Sequence, residues 1–441
     1  MITQMSIKKF FNEINLSGID YFCWKGATKI DKFIKGEADL DLYVPQADFS
    51  KFRIILRRHG FVEFSWPIKV DGVKHFYKPG DNGLLYHLHI YTRLRTGSSL
   101  AKEYELSASS SFQDITINDY GIRILKNEDL SFLHELRVML KKSSFFGRLF
   151  YWYKREIHSV ESEHLNDIRT NGSSNLRATR IVKLSFFINL KMLLNIKYRR
   201  MLGLSKTSEA GLVTSIIGPD GAGKSTITRL IFRRYHKYLT ISHLSFGRPS
   251  FQWSNLPIYL IRNLISSYKN LSSFTKITSK KNVKSIKGVS FAKAIFYVCL
   301  AYERKNIIAR CLYLKKRGHI VILDRCPPRK PSDFDGYHLD RYSGSSTLIK
   351  TLQKIEAKIY DAIIDIDIVF PLDVTLDQVI ERNRRRDKLG KESDDEIYDR
   401  FNLFLKFIPK SREIVKLNGS DTQSEIADLV MKSIFNTIVK T

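Results

Sequence analysis

Between Asp220 and Glu303 this 441-residue chain has no aspartate or glutamate, a run of 82 residues that carries fourteen lysines and arginines. The gap belongs to a wider imbalance, 73 Lys and Arg against 45 Asp and Glu, for a formal net charge of +28. Charge of that sign excludes an acidic solvating chain and points to anionic partners: nucleotides, nucleic acid, phosphorylated glycans or an anionic membrane surface. A basic face that only keeps the protein soluble is the plainer alternative. Cysteine is also scarce, with Cys23, Cys299, Cys311 and Cys326 alone, no CxxC and no Cys/His group at metal spacing. That excludes a disulfide framework and implies a reducing compartment. The longest apolar run, Ala294 to Tyr302, is too short to span a bilayer. Lys8, Lys9 and Glu13 interrupt the N-terminal apolar residues, so the uninterrupted apolar segment expected of a signal peptide is lacking there. The expectation is a soluble cytoplasmic protein, with a peripheral place on the inner membrane face as a variant of it.

What is present is led by Gly218-Pro219-Asp220-Gly221-Ala222-Gly223-Lys224-Ser225-Thr226. It follows the apolar run Leu212 to Ile217 and leads into an amphipathic stretch, so the order is strand, glycine loop, helix. Glycines at 218, 221 and 223 let the backbone wrap a phosphate chain, with N–H groups turned inward at the positive end of the following helix. Lys224 adds a full charge for the terminal phosphates, and the Ser225 hydroxyl is a ligand for the magnesium that accompanies them. ATP and Mg2+ are the cofactors this loop predicts.

Length predicts two to three domains. Residues 1–135 read as a smaller α+β domain, with strands at 21–24 and 40–44, a helix at 49–59, and strands at 73–77 and 84–91 paired across the turn Pro79-Gly80-Asp81-Asn82-Gly83. Residues 136–209 are expected to form a basic helical connector, since fifteen Lys or Arg against four Asp or Glu alternate with apolar residues over 136–207. Residues 210–441 read as an α/β doubly wound parallel sheet, with strands at 212–217, near 239–246, at 319–323 ending on Asp324, near 366–374 and at 413–417. Pro371 is awkward in the fourth of these, where it removes a ladder donor, and suggests a bulge.

Gly218 to Thr226, the strand leading to Asp324-Arg325, and Leu372-Asp373-Val374 followed by a helix with Glu381-Arg382 together resemble thymidylate kinase and related P-loop nucleoside monophosphate kinases. The resemblance covers about 211–437 and implies phosphoryl transfer from ATP. It implies that Lys224 and Ser225 hold the phosphates and magnesium and that Asp220 lies near the acceptor's sugar. Asp324 would position magnesium or the acceptor, and Arg325 would grip the acceptor's phosphate. Arg384, Arg385 and Arg386 would form a closing lid that stabilises the transition state, beside a loop in which position 221 is glycine. The family's Arg-Glu-Pro-Gly-Gly segment is reduced to Gly247-Arg248-Pro249-Ser250, so Arg248 is a second acceptor-binding candidate and the expected acceptor is a nucleoside monophosphate or a related anionic or hydroxylated molecule.

Lys25-Gly26 followed by Gly36 to Val44, with Asp39 and Asp41 two apart, resembles the active-site entry of polymerase-beta type nucleotidyltransferases over about 18–95. Carboxylates two apart on a strand share one face and can hold metal ions together. The later strand that supplies the family's third carboxylate reads Leu85-Tyr86-His87-Leu88-His89-Ile90-Tyr91, with histidines at the matching face. Such a domain is either active or degenerate. Two other readings fit the charge: a nucleic-acid end-processing kinase and nucleotidyltransferase, and a nucleotide-binding accessory protein of surface-glycan assembly.

Overall fold

The computed structural model describes residues 2–66, 70–81, 83–96, 104–106, 115–125, 133–137, 178–180, 206–247, 289–330, 336–342, 346–384 and 393–440. The chain forms two compact units, one of Met1–Glu209 with Tyr235–Leu239 and Phe435–Thr441, the other of Ala210–Arg234 with Thr240–Ile434. Both are mixed α/β.

In the first unit α1 (Ile2–Leu16), β1 (Phe22–Lys25), α2 (Ile30–Ile34), β2 (Asp39–Tyr43), α3 (Phe49–Arg58), β3 (Val62–Ser65), β4 (Val73–Pro79) and β5 (Leu85–Tyr91) run in chain order. They are followed by β6 (Leu94–Thr96), β7 (Tyr104–Leu106), β8 (Ile115–Ile117), β9 (Arg123–Leu125), β10 (Ala178–Arg180) and β11 (Lys206–Thr207). One sheet has the order β11-β3-β4-β5-β2-β1-β9-β8, and β10-β7-β6 form a second. Helix α1 is an addition to the expected elements. Its Ile7, Phe10, Phe11 and Ile14 recur at spacings of three and four and are fully buried. Each such side chain contributes roughly 1.5–3 kcal/mol by leaving water.

Strand alternation sorts the main sheet into two chemically opposed faces. Leu40, Leu42, Phe76, Leu88 and Ile90 are buried in one core with Phe10, Phe52 and Phe61. The intervening Asp39, Asp41, His75, Tyr77, His87, His89 and Tyr91 therefore share the other face. A slip of one residue would exchange the two sets, so the apolar set fixes the register of the polar one. In that register β2 and β5 are parallel with Asp39 opposite His87 and Asp41 opposite His89. Strands β4 and β5 are antiparallel with His75 opposite His89. Within 136–209, the expected helical connector, the described strands are β10 and β11, and most of the stretch lies outside the described residues.

The second unit contains β12 (Leu212–Ile217), α4 (Lys224–Tyr235), β13 (Ile241–Ser245), α5 (Phe291–Lys316), β14 (Ile320–Asp324), α6 (Thr347–Asp361), β15 (Ile366–Asp373), α7 (Leu376–Arg384), α8 (Asp394–Leu405), β16 (Ser411–Ile414), β17 (Leu417–Asn418) and much of α9 (Gln423–Lys440). The sheet order is β13-β14-β12-β15-β16, with β17 also on β15, and every pairing is parallel. All six residues of central β12 are buried, as expected for a strand covered on both faces. The chain leaves β12 toward β13 and β14 on one side and β15 and β16 on the other. The carboxyl end of β12 is thus the switch point where doubly wound sheets place ligands.

The bulge suggested at Pro371 is not what forms. Strand β15 runs unbroken, with Pro371 opposite Ile217 of β12. Its other neighbour breaks instead: the expected single strand at 413–417 is two strands, ending at Ile414 and restarting at Leu417. Val369 accepts from the Val415 N–H and Asp373 from the Gly419 N–H. Pro371, midway between them, faces the same side with no donor to give, and the neighbouring ladder is interrupted there.

A buried carboxylate holds the opposite end of this sheet. Asp367 accepts the Val213 N–H at 2.9 Å and Lys315 at 2.5 Å, with its side chain 6% exposed. No helix among the described residues is long and apolar enough to cross a membrane.

Candidate functional site

The glycine loop leaves the carboxyl end of β12 and delivers Lys224 as the first residue of α4. Gly221 and Gly223 have φ of 100° and 105°, values that side chains rarely adopt. This is a backbone reason why position 221 is not an arginine. The Lys224 Nζ donates to the carbonyls of Gly218 and Pro219 at 2.9 Å each and lies 3.8 Å from the Asp220 carboxylate. Ser225 is exposed at the start of α4.

Asp324 ends β14, in register with Ile216 of β12 and Ser245 of β13. The next residue, Arg325, has φ 69°, and among the described residues it is the one non-glycine in the left-handed region. Backbone strain of this kind concentrates at ligand sites. The Ser215 hydroxyl donates to the Arg325 carbonyl at 3.0 Å, and a Cβ at Gly247 would come within 3.0 Å of the Arg325 Cδ. Glycine at 247 thus leaves room for the Arg325 side chain. Ile217, Gly218, Asp220, Lys224, Arg325, Cys326 and Phe407 line one small cleft. Burial pushes the thiols of Cys23 and Cys311 up to about 12, so neither is poised as a nucleophile.

Two arginines reach this loop from beyond it. Arg382, in the last turn of α7, donates to the carbonyls of Ala222 at 3.0 Å and Gly419 at 3.1 Å. It braces the loop from outside. Arg400, on α8, donates to the Asp220 carboxylate at 2.7 Å. Helix α8 starts at a capping box in which the Ser393 side chain accepts from the Glu396 N–H and the Glu396 carboxylate accepts from the Ser393 N–H. Of the three expected lid arginines, Arg384 pairs with Asp394 at 2.5 Å and is 70% exposed. Arg385, Arg386 and Arg248 lie outside the described residues. Arg400 was not anticipated, because its 180-residue separation from Asp220 leaves no local signal.

In the first unit the carboxylates Asp39 and Asp41 meet an imidazole. His89 Nδ1 lies 3.2 Å from Asp41 Oδ1 and 3.4 Å from Asp39 Oδ2. His75 Nδ1 and His87 Nε2 are 3.2 Å apart. The sequence shows no Cys/His group at metal spacing, and the fold corrects this: the ligand atoms of His75, His87 and His89 all lie within 4.8 Å of one another, as do those of Asp39, Asp41 and His89. Burial, then the neighbouring charges of His89 and His75, holds the His87 imidazole well below its usual pKa. Burial and the Asp41 charge push the Tyr91 hydroxyl far above its own. The buried Lys25 has its Nζ over the Trp24 and Tyr91 rings at 3.8 and 4.0 Å.

No protein-family model matches the chain, and no curated protein does. Among solved structures the chain is similar to a thymidylate kinase from Candida albicans, at 17% identity over 53% of this chain and 96% of that one, with a TM-score of 0.31. A likeness at that score leaves the reading to the geometry of the two sites.

Proposed function

We propose that the second unit is an ATP-dependent phosphotransferase of the P-loop kinase type. The observation that carries this is the shared cleft of Lys224, Asp220 and Arg325 at the carboxyl end of the central parallel strand. Backbone N–H groups of 218–224 and the Lys224 ammonium would neutralise the phosphates of a nucleoside triphosphate. Magnesium takes oxygen ligands, and the Ser225 hydroxyl and Asp324 carboxylate are oxygen donors in the right region of the fold. Arg325, held in a strained backbone beside the loop, is suited to the acceptor's anionic group. Arg248, Arg384, Arg385 and Arg386 remain part of this reading as acceptor and lid residues. The acceptor is a nucleoside monophosphate or another small anionic or hydroxylated molecule.

The test is transfer of labelled phosphate from ATP–Mg2+ to a panel of nucleoside monophosphates, sugars and oligonucleotides by the full-length protein. Lys224→Ala is expected to lower transfer by about 10²-fold or more, since it removes the one full charge that the loop aims at the transferred group. Absence of ATP–Mg2+ binding by the wild-type protein sinks the reading.

For the first unit we infer a nucleotidyltransferase ancestry, supported by the Asp39/Asp41 pair on β2 and the adjoining Lys25-Gly26. His87 and His89 stand in register with those two aspartates, where the family has its third carboxylate. Imidazole is a poor magnesium ligand, which favours the degenerate version. The two domains and the connector at 136–209 are the proposed organisation.

A further inference from the structure

We propose that His75, His87 and His89 of the first unit form a binding site for a divalent transition-metal cation of the zinc class. The site is distinct from the phosphate loop and from a two-carboxylate magnesium site, and does not depend on the phosphotransferase reading.

Three observations converge. The first is spacing. Two nitrogens bound to one tetrahedral zinc at about 2.0–2.1 Å are separated by about 3.3 Å. His75 Nδ1 and His87 Nε2 stand 3.2 Å apart, and the three imidazoles each offer a ring nitrogen within 4.8 Å of those of the other two. A cation would take the place of the hydrogen between the first two, whose proton moves to the outer nitrogen of its own ring.

The second observation is the state of His89. Its Nδ1 faces two carboxylates, Asp41 at 3.2 Å and Asp39 at 3.4 Å. Carboxylates only accept, so Nδ1 carries a hydrogen and Nε2 is the nitrogen left for a metal. That Nε2 is buried and has no hydrogen-bond partner. Imidazoles that ligate metals nearly always donate their other N–H to a carboxylate or carbonyl, which fixes the tautomer and strengthens the ligand. Here the carboxylate is in place and the opposite nitrogen has no hydrogen bond of its own.

The third observation is preorganisation. Trp66 stacks on His75 at 4.9 Å and Tyr77 on His87 at 4.1 Å, and the Trp66 indole donates to the Tyr77 hydroxyl at 3.1 Å. The His89 ring is nearly perpendicular to both other imidazoles, at 85° and 83°. The ring planes are set by packing on neighbouring strands. All three histidines are half-buried. Three imidazoles leave one position of a tetrahedral zinc for a further ligand.

The experiment is equilibrium dialysis of the chelator-treated full-length protein against Zn2+ alone, with the Co2+ visible spectrum as a second readout that needs no variant. One equivalent of Zn2+ and the d–d bands of tetrahedral Co2+ are expected. His75→Ala, His87→Ala and His89→Ala each lose at least about 100-fold in affinity. Asp41→Asn, which removes the charge of the nearer carboxylate behind His89, weakens binding by about 10–100-fold. Lys224→Ala binds as the wild type does, so failure here is separable from failure of the phosphotransferase reading. Where an alanine variant loses its far-UV circular dichroism, His75→Gln or His87→Gln takes its place. No stoichiometric Zn2+ and no tetrahedral Co2+ spectrum overturns the proposal. So does binding that survives both His75→Ala and His87→Ala but is lost in Asp39→Ala, which assigns the ion to the carboxylate pair.

Discussion

The two units use the same ingredients, strands and helices around an apolar core, and distribute their chemistry in opposite ways. In the second unit the candidate chemistry is contiguous: nine residues from Gly218 to Thr226 form the loop, and Asp324 and Arg325 are neighbours at one strand end. In the first it is spread over three strands, and Asp39, Asp41, His75, His87 and His89 become one group only through strand register. A phosphate chain is bound largely by backbone N–H groups, which a short local segment can supply. A compact cation needs side chains from several directions, which a sheet face supplies by pairing.

The largest expected contrast concerns carboxylates, because the units place them differently. Asp367 of the second unit is buried, accepts a backbone N–H from Val213 and pairs with Lys315. Asp367→Ala leaves that donor and that cation without their acceptor and is expected to cost about 3–5 kcal/mol, read as a lower urea midpoint. Asp39 of the first unit has a side chain 45% exposed. Asp39→Ala is expected to cost less than about 1 kcal/mol. Equal costs for the two would remove the distinction between a carboxylate that holds the fold and one that faces a ligand.

Legibility from sequence follows the same division. The strand at 212–217 could be read because an apolar run punctuated by glycine is local. Strand β2 begins at Asp39 rather than at Leu40, since pairing with β5 and not hydrophobicity sets its start. The interruption between Ile414 and Leu417 was invisible because its cause, Pro371, lies on the neighbouring strand. Arg382 and Arg400 were out of reach for a related reason. Their partners at Ala222 and Asp220 are 160 and 180 residues away, and nothing in a helix's own pattern says which arginine turns toward a loop. The histidine cluster sits between these cases: His87 and His89 could be placed on one face, but His75 joins them only once β4 is paired.

A smaller effect tests whether the loop's chemistry is truly contiguous. Arg400 and Asp220 are 47% and 42% exposed, so Arg400→Ala is expected to change stability by less than about 1 kcal/mol. If Arg400 supplies charge to the phosphates as well as holding Asp220, phosphate transfer falls by about tenfold or more. Unchanged transfer would confine the site to the loop and the end of β14.

The smallest effect is a pH dependence in the first unit, at residues that belong to neither site. The Glu13 carboxyl is held below its ordinary value of 4.5 chiefly by the hydrogen bond from His59, with Arg58 adding to it and burial opposing. The His59 Nε2 to Glu13 distance is 2.7 Å, and Arg58 pairs with the same carboxylate. A carboxylate whose folded-state pKa is depressed contributes stability that is present above its unfolded value and is lost as pH falls through the folded one. The stability difference between wild type and Glu13→Gln should therefore shrink as pH drops below about 4.5. Urea midpoints of the two proteins between pH 3 and 7, on the order of one unit apart, measure it. A difference that grew on acidification would mean that the folded state favours the protonated carboxyl, and that His59 and Arg58 do not hold Glu13 as this geometry requires.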